Sequence, residues 1–122
     1  MATVRYMVSD VGAAVSFYVD GLGFEVIQRF GPTIAIMRRG DLELWLAGPT
    51  SSAARPMPDG RVPEAGGWSR FVIEVADLDA RVEELGARGA VFRNEIVEGP
   101  GGRQILVEDP SGNVVELFET GS

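Results

Sequence analysis

Two glutamates occupy matching places in the chain, Glu43 in Glu43-Leu44-Trp45 and Glu116 in Glu116-Leu117-Phe118. Each sits in a run of alternating apolar residues, on the side that a strand would turn away from a packed helix. Two carboxylates facing a cleft can divide the roles of general acid and general base, or hold a hard divalent cation together with water. What is missing bounds that chemistry. The 122 residues contain no His and no Cys, which removes imidazole bases, thiol nucleophiles, disulfides and thiolate metal sites. Ser9, Ser16 and Ser111 therefore have no imidazole to form a Ser-His triad. Gly99-Pro100-Gly101-Gly102 lacks the Lys-Ser/Thr pair and the following helix of a phosphate-cradling loop, and reads as a hairpin turn. The arginines Arg5 and Arg70 offer a simpler role for the glutamates, as partners in ion pairs. Trp45, Trp68 and Phe118 could stack on a planar molecule, or could equally be packing residues.

The elements that must position these residues come as a repeated pattern. Val8-Ser9-Asp10 opens one copy and Val75-Ala76-Asp77 the other. Asp10 and Asp77 read as helix N-caps, followed by apolar stripes at helical spacing: Val11, Ala14, Val15 and Tyr18, then Leu78, Val82 and Leu85. Gly21 and Gly23 end the first helix, and Gly86 and Gly89 lie near the end of the second. Strands are predicted at 3–8, 24–30, 33–38 and 42–47, and again at 69–75, 90–97, 103–108 and 113–119. Each copy is then a βαβββ module, and the fold class is α+β, two tandem modules forming a half-barrel cleft. We read residues 1–122 as a single domain, with modules at 1–47 and 68–122. Between them lies 48–67, whose prolines Pro49, Pro56, Pro58 and Pro63 exclude a central strand or a helix. A loop of that length is a linker or a lid, and Met57 within it is a flexible apolar residue suited to covering a site.

Strand alternation sorts the side chains by face. Leu42, Leu44 and Leu46 belong with the helix, as do Val4, Tyr6, Val8, Phe71, Ile73, Val75, Val115 and Leu117. The opposite face then carries Thr3, Arg5, Met7, Glu43 and Trp45 in the first module, and Arg70, Val72, Glu74, Val114, Glu116 and Phe118 in the second. Large apolar rings beside Arg and Glu describe a concave, half-apolar wall able to hold an organic molecule. Composition points the same way. The net charge of −7 opposes binding to nucleic acid phosphates, and no apolar run is long enough to span a bilayer. The N-terminal residues show no secretory signal, and with the absence of Cys this leads to a cytoplasmic expectation.

The residues Val8-Ser9-Asp10, Ser16-Phe17-Tyr18, Gly21-Leu22-Gly23-Phe24 and the run from Glu108-Asp109-Pro110-Ser111-Gly112-Asn113 to Glu116-Leu117 resemble the vicinal-oxygen-chelate superfamily, which includes glyoxalase I, bleomycin-resistance proteins and extradiol dioxygenases. The resemblance covers nearly the whole chain. Enzymes of that family hold a metal with four ligands, usually His or Gln, Glu, His and Glu. Those positions fall here on Thr3, Glu43, Arg70 and Glu116, so two of the four persist, and a guanidinium, which has no acceptor, occupies a third. The closest resemblance is to the metal-free bleomycin-resistance branch. It implies no cofactor, no metal, and a homodimer sequestering an aromatic natural product or antibiotic in a cleft where two chains meet. The ligand would touch Arg5, Met7, Glu43, Trp45, Met57, Trp68, Arg70, Glu74, Glu116 and Phe118. The alternative is a glyoxalase-like lyase or isomerase, or a dioxygenase-family enzyme, using Glu43 and Glu116 as catalytic carboxylates with or without a divalent metal.

Overall fold

The computed structural model describes residues 2–121. The chain builds two mixed sheets. Strands β1 (Ala2–Met7), β2 (Glu25–Phe30), β3 (Ile34–Arg39) and β4 (Leu42–Ala47) form the first, in the order β1-β4-β3-β2, with helix α1 (Val11–Ser16) between β1 and β2. The second has β5 (Arg70–Glu74), β6 (Val91–Phe92), β7 (Val97–Gly99), β8 (Gly102–Glu108) and β9 (Val114–Thr120), with helix α2 (Leu78–Ala87) after β5. Its order is β5-β9-β8-β6, and β7 also pairs with β8. In each sheet the first strand runs parallel to the last, β1 to β4 and β5 to β9, and the remaining pairs are antiparallel. A hairpin cannot join parallel neighbours, so the capped helix serves as the crossover. The expected α+β fold with a βαβββ order in each half is what forms.

Both helices start where the aspartates place them. Asp10 Oδ1 accepts from the Ala13 amide at 3.1 Å, and Asp77 Oδ1 from the Ala80 amide at 3.1 Å. The first helix departs from the expected regular form: it widens into a π-turn at Phe17–Gly21, within which Tyr18 is wholly buried. One expected strand is also different. Residues 90–97 do not run as a single strand, because Asn94 interrupts the ladder: its side-chain oxygen accepts from the Leu106 amide at 2.9 Å, replacing a backbone carbonyl. Side-chain competition for backbone groups of this kind is characteristic of Asn.

A continuous core joins the halves. Leu44, Leu46, Ala35, Met37 and Tyr18 from the first pack with Phe71, Ile73, Leu85, Val115 and Leu117 from the second. Phe71 is the bridging ring, 5.2 Å from Tyr6 and 6.2 Å from Phe24 between centroids. Above the core lies a polar knot in the turn Asp109–Asn113. The buried Asp109 carboxylate accepts from the Tyr18 hydroxyl (2.9 Å), the Ser111 and Asn113 amides (2.9 Å each) and the Asn113 side-chain amide (3.0 Å). Asn113 Nδ2 also donates to the Met7 carbonyl at 2.7 Å, the Ser9 amide donates to Ser111 Oγ at 2.9 Å, and the Tyr6 hydroxyl donates to the Val114 carbonyl at 2.6 Å. Burial, together with the Asp109 charge, pushes the Tyr18 hydroxyl well above the ordinary tyrosine range, and burial pushes that of Tyr6 up to about 12. Both therefore remain donors throughout the neutral range.

Removing one donor from this knot differs from removing its acceptor. Tyr18→Phe takes away a single bond and is expected to cost about 1 kcal/mol, whereas Asp109→Asn leaves buried donors facing a donor and is expected to cost about 3 kcal/mol. Urea unfolding with an unchanged denaturant slope measures both. Equal losses in the two variants would mean that Tyr18 carries the knot and the turn amides do not.

Candidate functional site

Because both sheets turn their helix-bearing faces into one core, their other faces point out of it. Cross-strand pairing stacks the outer face of the first sheet into rows. At one end Thr3, Glu43, Arg38 and Glu25 lie side by side. The next row is Arg5, Trp45, Ile36 and Gln28, and the last is Met7, Ala47, Ile34 and Phe30. Polarity is therefore graded along the wall, from charged, through aromatic, to apolar. Trp45 and Ile36 are half-buried and Phe30 is 52% exposed, unusual openness for a large ring.

The acidic end of this wall is already partnered. Glu43 Oε1 accepts from the Trp45 indole at 2.8 Å, and Oε2 faces Arg38 Nη2 at 3.4 Å. These contacts, the indole bond foremost and the arginine second, lower the Glu43 pKa below the ordinary carboxylate range. The same indole carries the Arg5 guanidinium over its ring, 5.0 Å from the centroid. Arg38 has a further feature: its Nε is buried and unpaired.

The second wall has rows Arg70, Val114, Glu108 and Val91; then Val72, Glu116 and Leu106; then Glu74, Phe118, Gln104 and Val97. Here Glu116 is 8% exposed and held by Arg70 Nε at 3.0 Å. The arginine lies across the glutamate. Glu74 Oε1 accepts from the Thr120 hydroxyl at 2.6 Å. Trp68, 68% exposed, lies against Arg93 with the guanidinium 4.5 Å from its ring centroid, and Arg93 is pinned by Glu108 at 2.9 Å.

The two glutamates do not sit at equivalent heights. Glu43 pairs in register with Thr3, seven residues before the cap Asp10, whereas Glu116 pairs with Val72, five before the cap Asp77. Among the described residues no hydrogen bond, ion pair or ring contact links Trp45 or Glu43 to Glu116, Phe118 or Trp68. Thr3, Glu43, Arg70 and Glu116 do not fit a divalent ion, because each carboxylate is bonded to an arginine and the third position is itself a cation. Among the described residues no three His, Cys, Asp or Glu side chains are grouped to hold a metal.

Met57 stands in an exposed turn whose amide donates to the Arg61 carbonyl at 2.7 Å. The linker nonetheless reaches the first wall further on: Val62, Pro63 and Ala65 roof a cavity of about 240 Å³ at the Met7–Ala47 end. A larger cavity of about 410 Å³ lies elsewhere, between the Phe17–Gly21 turn, the end of α2 and Pro110. Residues the sequence reading passed over are Ile36, Arg38, Phe30, Leu106 and Arg93. Alternation along 33–38 would have named Ile36 and Arg38. Nothing local marks Arg93, whose partners come from the linker and from the Asp109–Asn113 turn.

Comparison with known proteins agrees with this architecture. No functionally curated protein matches the chain in sequence. Among solved structures, a bleomycin-binding protein from bleomycin-producing Streptomyces verticillus, complexed with copper(II)-bleomycin, is 30% identical with a TM-score of 0.62, covering 98% of this chain and 95% of that one. TnmS3, an antibiotic binding protein from Streptomyces sp. CB03234, is 26% identical with a TM-score of 0.73, over 98% and 93%. Lactoylglutathione lyase from Agrobacterium tumefaciens is 22% identical with a TM-score of 0.74, over 98% and 92%, a likeness of fold. Residues 1–117 match the sequence profile of one family, and on that match the chain belongs to the Glyoxalase/Bleomycin resistance protein/Dioxygenase superfamily.

Proposed function

We propose that this protein binds and sequesters a flat aromatic natural product or antibiotic, without a metal and without altering it, in a cleft closed by two copies of the chain. The observation that carries the reading is the outer face of the first sheet, where Trp45, Ile36, Ile34 and Phe30 form a solvent-facing apolar surface beside polar groups that are largely paired. A partly open apolar wall, half-buried at Trp45, Ile36 and Ile34 and exposed at Phe30, favours a partner or a ligand. On this reading a second copy completes the cleft, setting the wall with Phe118 and Leu106 of one chain against the first wall of the other. The antibiotic-binding relatives supply the ligand class. The division into two modules at 1–47 and 68–122, joined by a linker that partly roofs the first wall, belongs to the same reading, as does a cytoplasmic site of action. Among the described residues no helix is long and apolar enough to cross a membrane.

Catalysis by the glutamates finds less support. A general acid or base working near neutral pH needs a carboxylate pKa raised toward that range. Glu43 is shifted the other way, and Glu116 is covered by Arg70.

The test is direct. The protein should run as a dimer in native mass spectrometry, contain no stoichiometric divalent metal, and take up a planar antibiotic that quenches its Trp fluorescence and is recovered chemically unchanged. Trp45→Ala should weaken that uptake roughly tenfold, from the stacking and burial a Trp ring contributes. Recovery of an altered compound, or loss of binding to a chelator, would move the protein among the enzymes of its family.

A second expectation concerns acid. Since the folded-state pKa of Glu43 is lowered, its contribution to stability is complete above the ordinary carboxylate range and is lost as pH falls through the depressed value. Titrated downward from neutral pH, Trp emission should show no Glu43-dependent step at about pH 4.3, where an unperturbed glutamate is half protonated, and should change only in a step below it. Glu43→Gln should abolish that step. A transition at or above that pH in the parent protein would show that the indole and Arg38 do not hold the carboxylate charged.

A further inference from the structure

The charges on the first wall are not equally committed. Glu43 is held by the Trp45 indole and Arg38. On the second wall Glu116 is held by Arg70, Glu108 by Arg93 and Glu74 by the Thr120 hydroxyl. Arg5 differs. It is exposed, and among the described residues it makes no hydrogen bond and no ion pair, only the contact over the Trp45 ring. The guanidinium therefore presents its N–H donors at the middle row of the wall with no protein acceptor among the described residues. Its position is also fixed from below, because the indole it covers is itself tethered to Glu43.

We infer that Arg5 is the ligand-selecting residue of this wall, and that the ligand is a planar aromatic carrying an acidic oxygen, a carboxylate or an ionised phenol. This rests on the reading of the wall as a binding surface and adds the charge of what binds there. The aromatic body lies over Ile36, Ile34 and Phe30, and its anionic oxygen meets the Arg5 guanidinium at the rim of Trp45. A guanidinium offers a planar fork of donors suited to a carboxylate. An uncharged ligand of the same shape leaves those donors to water, and a cationic one meets Arg5 as a like charge. The overall charge of −7 favours the reverse order, cations over anions, so a preference for the anion can only come from a local cation.

Matched probes test this: anthracene-2-carboxylate, anthracene-2-carboxamide and 2-(aminomethyl)anthracene, measured by equilibrium dialysis against the full-length protein. The carboxylate should bind about tenfold more tightly than the carboxamide, the lower range for a charge-assisted hydrogen bond at an exposed site. In Arg5→Gln the ratio should fall to near one, with carboxamide binding unchanged or tighter as the Trp45 ring is uncovered. Arg5→Lys should restore part of the ratio. Trp45→Ala should weaken carboxylate and carboxamide together. Equal binding of these two probes to the parent protein, tightest binding of the amine, or a ratio that persists in Arg5→Gln would each overturn the role of Arg5 while leaving the wall as a binding surface. Failure of all three probes to bind would overturn both.

Discussion

The structure depends on one buried carboxylate. Asp109 lies at the point where the second module's last turn meets the first module's helix and first strand, and its oxygens accept four hydrogen bonds there. A buried charge is tolerated only when its acceptor sites are filled, and an unfilled one costs several kcal/mol. That requirement dictates the neighbours: Tyr18 must donate from the π-turn, and Asn113 must fold back toward Asp109 while reaching across to the Met7 carbonyl. The two halves, each too small to bury its own sheet well, are thereby fixed in one relative orientation over a shared core. The aromatic contacts of Phe71 with Tyr6 and Phe24 add area, but rings pack in many orientations, and the hydrogen-bond geometry admits few.

That orientation decides what each sheet does with its second face. With the helix-bearing faces spent on the shared core, the faces carrying Trp45 and Phe118 lie outside it. A duplicated unit suggests a cleft between its copies, and here the candidate walls lie on two separate sheets, each with its own glutamate and aromatic ring. The two-residue difference in strand alignment adds an asymmetry: Glu43 lies a row of outward side chains away from the position equivalent to Glu116. The walls are therefore unlike in character. The first keeps a graded surface with an open apolar end, while the second closes over its glutamate with Arg70.

Much of this was legible in the sequence, where local physics suffices. Asp10 and Asp77 as caps, the parity that puts Leu44 and Leu46 in the core and Trp45 outside it, and the hairpin at 99–102 follow from short-range rules that tertiary packing did not override. The break at Asn94 was not legible, because it depends on a side chain finding the amide of Leu106 on another strand. Nor was the burial of Glu116: alternation put it on the outer face with Arg70 as an ion-pair partner, but alternation says nothing about how far that arginine will cover it. The Asp109–Asn113 motif could be recognised as a turn, and its role as the joint between halves could not, since its partners Tyr18 and Met7 are remote in sequence. At the candidate site the same division holds. The faces were readable, while the hydrogen bonds that neutralise Glu43 and leave Arg5 uncommitted required the assembled sheet.

The replacement of metal ligands by arginine has a consequence for what such a site can recognise. A divalent ion ligated by two carboxylates satisfies them from a single point and leaves an open coordination position directed at the ligand. Arginines satisfy the same carboxylates from the side, as Arg38 and Arg70 do, and leave no position open. On the proposed reading, recognition shifts from coordination to surface: to the ring of Trp45, the apolar row ending in Phe30, and whatever cation is not already spent. Coordination demands particular donor atoms in a ligand, whereas a stacked ring and one free guanidinium demand only a flat shape and an oxygen that bears charge. On the proposed reading, such a scaffold is less able to activate bonds and more tolerant of what it holds, which is the behaviour sequestration asks for.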